Sequence, residues 1–254
     1  RGPGAYDERF LADDDPVRGG MTPRSGALPR LPPAPRARLD LDQLDLKLAL
    51  HVKRRGGFVV EAGANDGVTQ SNTALLARYR GWRGLLVEPV SELAHRCRML
   101  RPESVVEQAA LVAPDHEQPT TAMRYANLMS LVHGARGSAD ADREHVAEGE
   151  RLQGVSSYEL EVPTRPLSAI LDDHRVRRAE LLCLDLEGYE PEALRGLDPE
   201  RHPTFILVEV WDRAATDEQL QRLYEPLAEL SRRDVLYRLR ARARCARVSR
   251  SRDA

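Results

Sequence analysis

Phe58-Val59-Val60-Glu61-Ala62-Gly63-Ala64-Asn65-Asp66-Gly67 is the stretch on which the reading of this chain turns. A short apolar run enters a glycine loop, and Ser71 can then cap a helix running through Arg78. Glycines let a backbone turn sharply and come close to a ligand, while a helix N-terminus points free N–H groups at negative charge. A dinucleotide fingerprint needs glycine at the first, third and sixth positions. Counted from Gly63, those places hold Asn65 and Val68, so the nicotinamide pattern fails twice. No Gly-Lys-Ser/Thr follows, so a P-loop fails as well.

What remains is acid-x-Gly-x-x-x-Gly, joined by a second acid, Glu88, at the end of the next apolar run, Leu85-Leu86-Val87. A carboxylate in that place accepts both hydroxyls of a ribose. Loop and acids together suit a ligand that joins an ammonium and a carboxylate to an adenosine, as S-adenosylmethionine does. The competing reading is a tight turn that holds no ligand.

Outward from this stretch, short apolar strands alternate with helices. Leu39 to Val52 reads as an amphipathic helix closed by Gly56-Gly57, and Ser91 to Leu100 as a helix before a strand from Ser104 to Val112. Later come a helix over Leu167 to Asp173, a buried strand over Leu181 to Leu184, a helix over Glu190 to Leu197, and a strand over Phe205 to Val208. A long helix is expected over Thr216 to Leu230, then closing strands over Val235 to Cys245 with arginines alternating on a wet face. The alternation predicts an α/β fold with a mostly parallel sheet flanked by helices. Residues 39–245 form the predicted domain, with an irregular, polar insert over about 113–160 that would supply a lid. Residues 1–38, with seven of the 17 prolines, read as a loose arm, and residues 246–254 as a basic tail.

Composition narrows the function further. The chain has 254 residues, 41% hydrophobic and 31% charged, with 38 Lys+Arg nearly balanced by 40 Asp+Glu, so no global charge attracts a polyanion. No apolar run approaches the roughly 18 residues of a membrane span, and no signal segment is visible. Three cysteines without metal-ligand spacing fit a reducing cytoplasm. Aromatics total 5%, which is poor for base stacking, so neither a nucleic-acid nor a membrane partner is expected.

Four blocks carry a resemblance to a known family. They are Phe58 to Gly67 with Ser71-Asn72-Thr73; Gly81-Trp82-Arg83-Gly84-Leu85-Leu86-Val87-Glu88-Pro89; Val162 to Leu167 leading to Leu171-Asp172; and Leu184-Asp185-Leu186-Glu187-Gly188-Tyr189-Glu190 with the strand to Glu209. In order and spacing the chain resembles the FkbM-type S-adenosylmethionine-dependent methyltransferases. The resemblance implies a seven-stranded class I (Rossmann-like) methyltransferase fold and transfer of a methyl group to a hydroxyl, here of a small molecule or sugar in natural-product or glycan tailoring. It places Gly63, Asn65 and Gly67, with Ser71, at the methionine portion and Glu61 near its amino group. It sets Glu88 at the ribose, Gln108 and Ala109 beside the adenine, and Asp185 facing the methyl donor or a metal. Leu184 departs from the family, which often has Lys there.

An alcohol must lose its proton to accept a methyl group, which calls for a base or a metal. His133 in the insert and Asp185 are the candidate catalytic residues, with His145 further along the same insert. Asp185 and Glu209, at successive strand ends, would form an oxygen-rich Mg²⁺ site. In the alternative, Asp185 meets only the cofactor and Glu187 caps the helix containing Glu190. Trp211, Tyr125 and Tyr158 are candidates to border the acceptor. Two rivals stand beside the transferase: a nicotinamide-dependent oxidoreductase and a non-catalytic scaffold of the same fold.

Overall fold

β1 (Phe58–Ala62) is buried along its whole length because it pairs on both sides, with β2 (Arg83–Val87) and with β8 (Leu181–Leu184), both parallel. The computed structural model describes residues 43–198 and 201–241, so the expected arm and tail lie outside the described residues. β3 (Val105–Glu107) continues the sheet beyond β2, and β9 (Phe205–Glu209) continues it beyond β8. β11 (Asp234–Leu239) then runs antiparallel to β9, and β10 (Tyr224–Glu229) antiparallel to β11. The order is β10-β11-β9-β8-β1-β2-β3, a seven-stranded, mostly parallel sheet as expected.

Strand alternation divides the core between the two faces of this sheet. Val60, Leu182, Leu184, Ile206 and Val208 pack against α5 (Leu167–Asp173), α6 (Glu190–Arg195) and α7 (Arg213–Leu220). Val59, Leu181, Cys183 and Leu207 point the other way, towards α1 (Leu44–His51), α2 (Ala74–Arg80) and the fully buried Trp82. α3 (Ser91–Leu100) covers Leu86 through Ala94 and Cys97. Among the described residues no helix is long and apolar enough to cross a membrane.

Four expectations are corrected. The strand over Ser104 to Val112 is broken at Gln108-Ala109, and its second half is β4 (Ala110–Val112) in a separate sheet. The long helix over Thr216 to Leu230 is instead α7, a turn, and edge strand β10. Pro226 lacks an N–H and is tolerated on an edge strand but not inside a helix, and a register shift marks its neighbourhood. The alternating arginine segment begins only as β11 ends; β11 itself buries Val235, Leu236 and Tyr237 in succession because it lies between two strands. Residues 242–245 lie outside the described residues.

The insert is regular rather than irregular. β5 (Thr120–Tyr125), a 3-10 turn (Asn127–Met129), β6 (Leu131–Val132), α4 (Ala139–Gln153) and β7 (Tyr158–Pro166) build a second sheet in the order β4-β7-β5-β6. β7 pairs with β5 as far as Pro163 and with β4 from Thr164 on, so the proline falls where the strand changes partner.

Candidate active site

The C-terminal ends of β1, β2, β8 and β9 open on a single cleft of about 820 Å³, roofed by the insert. Open α/β sheets bind ligands at this edge. Gly63 forms the floor. Its φ is +80°, and a Cβ there would overlap the Asp185 carbonyl oxygen, so β1 and β8 approach this closely only over glycine.

Asn65, also left-handed (φ 51°), aims its backbone N–H at Glu88 Oε2, 2.9 Å away, while Val90 N–H donates to Oε1 at 2.9 Å. Both groups line the cleft. Burial, reinforced by the charge of Asp66, still pushes Glu88 up to about 7 despite those two donors. Each carboxylate oxygen keeps a lone pair for a ligand hydroxyl.

Glu61 turns away from the cleft. Its carboxylate accepts from Ser71 Oγ at 2.9 and 3.1 Å and from Thr73 Oγ1, with Arg101 Nη1 3.9 Å away. Ser71 Oγ in turn accepts from Ala74 N at 3.1 Å, the first residue of α2, but the helix starts later than expected and Thr73, not Ser71, holds its N-cap position. A Cβ on Gly67 would meet Arg101 Cγ at 2.7 Å and Cys97 Sγ at 2.8 Å. Glu61, Ser71 and Gly67 thus brace the loop from behind. Ala109 lines the cleft at the break between β3 and β4; Gln108 does not.

Acids gather beside the Gly63 floor, on the side of β8 and β9. Asp185 follows β8, Glu209 ends β9, and Glu187 lies in the loop between β8 and α6; one carboxylate oxygen from each falls within 4.8 Å of the others. Burial beside Glu209 and Glu187 raises Asp185 well above the usual carboxylate range, and Glu209 is pushed up to about 8, by burial first and Glu187 second. Glu187 does not cap α6. Nor does any other side chain: Glu190, the first residue of α6, reaches back to the preceding loop, accepting from Leu186 N at 2.7 Å and Gly188 N at 3.0 Å, and burial pushes it up to about 7. Glu187 adopts a left-handed conformation (φ 56°) and places Oε2 3.2 Å from His145 Nε2.

His145 comes from α4, on the buried face it shares with Asp142, Val146 and Gly149, and its ring stands edge-on to Trp211 at 5.4 Å. The guanidinium carbons of Arg136 and Arg233 lie 3.3 and 3.1 Å from the Trp211 ring centre, separations that require opposite faces. Trp211 Nε1 donates to Glu209 Oε2 at 2.7 Å. Asp142 holds the Arg136 loop, accepting from Arg136 N at 2.9 Å and Gly134 N at 2.6 Å.

The structure therefore brings Gly63, Asn65, Glu88, Ala109, Asp185 and Glu209 to one cleft. His133 is not there: its ring is about half exposed, with Nε2 3.5 Å from Glu159. Tyr125 and Tyr158 pack on each other at 5.1 Å, away from the cleft. The sequence gives no sign of Arg136 at the site, Arg233 reads only as part of an arginine-rich segment, and His145 is a candidate base second to His133. The spacing Asp142, His145, Val146, Gly149 was the available signal, one buried helical face in an otherwise charged segment.

A TehB-like S-adenosylmethionine-dependent methyltransferase from Corynebacterium glutamicum is similar in structure, with 10% identity, a TM-score of 0.38, and coverage of 78% of this chain and 88% of that one. An RNA methyltransferase from Salinibacter ruber, solved with S-adenosyl-L-homocysteine, gives 13% identity and a TM-score of 0.37 over 82% and 92%. These likenesses distinguish no acceptor class, nucleic acid included. A search of curated proteins gives no match. Residues 61–239, however, match the methyltransferase FkbM domain, from the acid before the glycine loop to the last residue of β11, and the chain belongs to that family.

Proposed function

We propose that the protein transfers a methyl group from S-adenosylmethionine to a hydroxyl of a small molecule or sugar. One observation carries the reading. Glu88, Gly63, Asp185 and Glu209 follow one another along the edge of the sheet in a continuous cleft, so a cofactor held between Glu88 and Gly63 would present its methyl group to the carboxylates beyond. Glu88 takes the ribose hydroxyls, the Gly63 turn admits the methionine portion, and Ala109 borders the adenine.

The acceptor oxygen attacks the methyl carbon in line with the sulfonium sulfur. An O–C bond forms as the C–S bond breaks, its electron pair returns to sulfur to leave neutral S-adenosylhomocysteine, and the hydroxyl proton passes to the acid cluster. Alignment and exclusion of water supply much of the acceleration in such a step. The insert supplies the acceptor side with Met123, Leu128, Met129 and Leu131, an apolar wall suited to a small organic acceptor.

Calorimetric titration of the full chain with S-adenosylhomocysteine, beside Glu88→Ala, tests the reading. Binding that is lost in the variant is expected. Absence of binding to folded protein refutes the proposal in favour of a non-catalytic scaffold, and binding of NAD instead would restore the oxidoreductase.

A further inference from the structure

We infer that Asp185, Glu187, Glu209 and His145 form a binding site for a divalent first-row metal ion, Mn²⁺ in preference to Mg²⁺, at the acceptor end of the cleft. In assigning this ion to the acceptor's hydroxyl, the inference rests on the function proposed above.

The carboxylates arrive from three separate places, the end of β8, the loop before α6 and the end of β9, and converge within 4.8 Å. Glu187 and Glu209 are only 13% and 17% exposed. Bringing three carboxylates together out of water is costly unless something positive completes them. The nearby arginines do so only in part: Arg233, 42% exposed, pairs with Glu209 at 3.8 Å, and Arg136 feels the charges of Glu187, Glu209 and Glu190 but makes no ion pair among the described residues, both guanidinium groups lying over Trp211. Seven carboxylates line the cleft against three arginines, a balance that favours a cation over an anionic ligand.

His145 is the independent observation. Its side chain is 5% exposed, and its Nε2 is a buried nitrogen without a hydrogen bond that faces Glu187, the nearest acid of the cluster, 3.2 Å from Oε2. A neutral buried ring nitrogen without a hydrogen bond costs about 1–3 kcal/mol, so it calls for a ligand. Two donors at neighbouring positions on one cation, each about 2.0–2.2 Å from it, stand about 3 Å apart. The His145–Glu187 separation matches that spacing. Three carboxylate oxygens alone would suit Mg²⁺, whereas adding an imidazole nitrogen shifts preference towards Mn²⁺ and its neighbours. The left-handed backbone at Glu187 turns its carboxylate to the cluster instead of to α6.

The test is titration of the metal-stripped full chain with Mn²⁺ alone, followed by electron paramagnetic resonance, with Mg²⁺ as competitor, on wild type, Glu209→Gln and His145→Gln. S-adenosylhomocysteine binding is measured on the same samples in EDTA. One Mn²⁺ per chain is expected, displaced poorly by Mg²⁺ and weakened at least the ~10–100-fold that loss of a supporting residue costs at metal sites in Glu209→Gln. In pulsed spectra the bound Mn²⁺ should show coupling to an imidazole nitrogen that disappears in His145→Gln, a change that simple loosening of α4 would not produce. Mn²⁺ failing to bind a chain that still takes S-adenosylhomocysteine overturns the metal site and leaves the transferase standing. Equal affinity in Glu209→Gln, or no nitrogen coupling in wild type, overturns it too. Loss of S-adenosylhomocysteine binding in folded wild type instead refutes the transferase.

Discussion

Cofactor affinity should fall as pH drops through neutrality, and Glu88 sets the amount. Its carboxylate accepts from Asn65 and Val90 N–H, yet burial beside Asp66 holds it at about 7 in the empty protein. Ribose hydroxyls donate to the ionised form, so below that pH binding must first expel a proton. The apparent Kd then grows by a factor 1 + 10^(pKa − pH), which between about pH 8 and about pH 5.5 amounts to about 30-fold, or about 2 kcal/mol. Stability of the empty chain carries the opposite sign. A carboxyl raised from 4.5 to about 7 contributes stability that is complete below the lower value and is lost as pH rises through the upper one. The shift in Tm caused by S-adenosylhomocysteine should therefore widen with pH while the starting Tm does not gain from this group. Calorimetry on wild type and Glu88→Gln reads both quantities. Glu190 and Glu209 titrate in the same range, and the variant separates them out, because only the Glu88 part disappears. A flat Kd in wild type, or the same slope in Glu88→Gln, would refute the reasoning.

Three other outcomes are expected. Gly63→Ala should cost more than about 3 kcal/mol in urea unfolding, since the added methyl overlaps the Asp185 carbonyl and φ is positive; a loss below about 1 kcal/mol would show that β1 and β8 can part. Trp211→Leu removes two stacked guanidinium contacts and the Nε1 bond to Glu209, and should lower stability by about 1–3 kcal/mol, read by thermal unfolding. Asp142→Ala strips the acceptor from two backbone N–H groups of the Arg136 loop and should leave S-adenosylhomocysteine affinity within about twofold while transfer falls at least about tenfold; equal loss of both would place that loop on the cofactor side.

The elements legible in the sequence were those whose burial is two-sided. Phe58-Val59-Val60, Leu85-Leu86-Val87, Leu181 to Leu184 and Phe205 to Val208 are continuous apolar runs because helices cover both faces of the sheet. The insert was not legible because its strands are half-exposed and carry polar residues on both faces, so no continuous apolar run marks them. The segment after Thr216 reads as one long helix only if Pro226, which stands inside it, is passed over. Among site residues, Glu88 and Asp185 lie where the ends of apolar runs suggested. Glu61 has the same sequence signature, but its neighbours Ser71 and Thr73 claim it. The direction of Glu187 depends on a left-handed backbone, which only the following Gly188 hinted at.

The central position of β1 has a consequence for how the chain is made. Val59 pairs with Leu181, so the middle of the sheet closes only after the whole insert has been synthesised. Until then β1, β2 and β3 have no β8 to cover the inner edge, and an apolar strand with unpaired amides is open to any other chain it meets. At about 5–20 residues per second the ribosome leaves that edge uncovered for several seconds or more. The second sheet, inserted between the strands that must meet, sets the length of that delay. An insert lengthened to take a larger acceptor would extend it, and chaperone dependence should rise with the size of the insert even where the finished protein is no less stable.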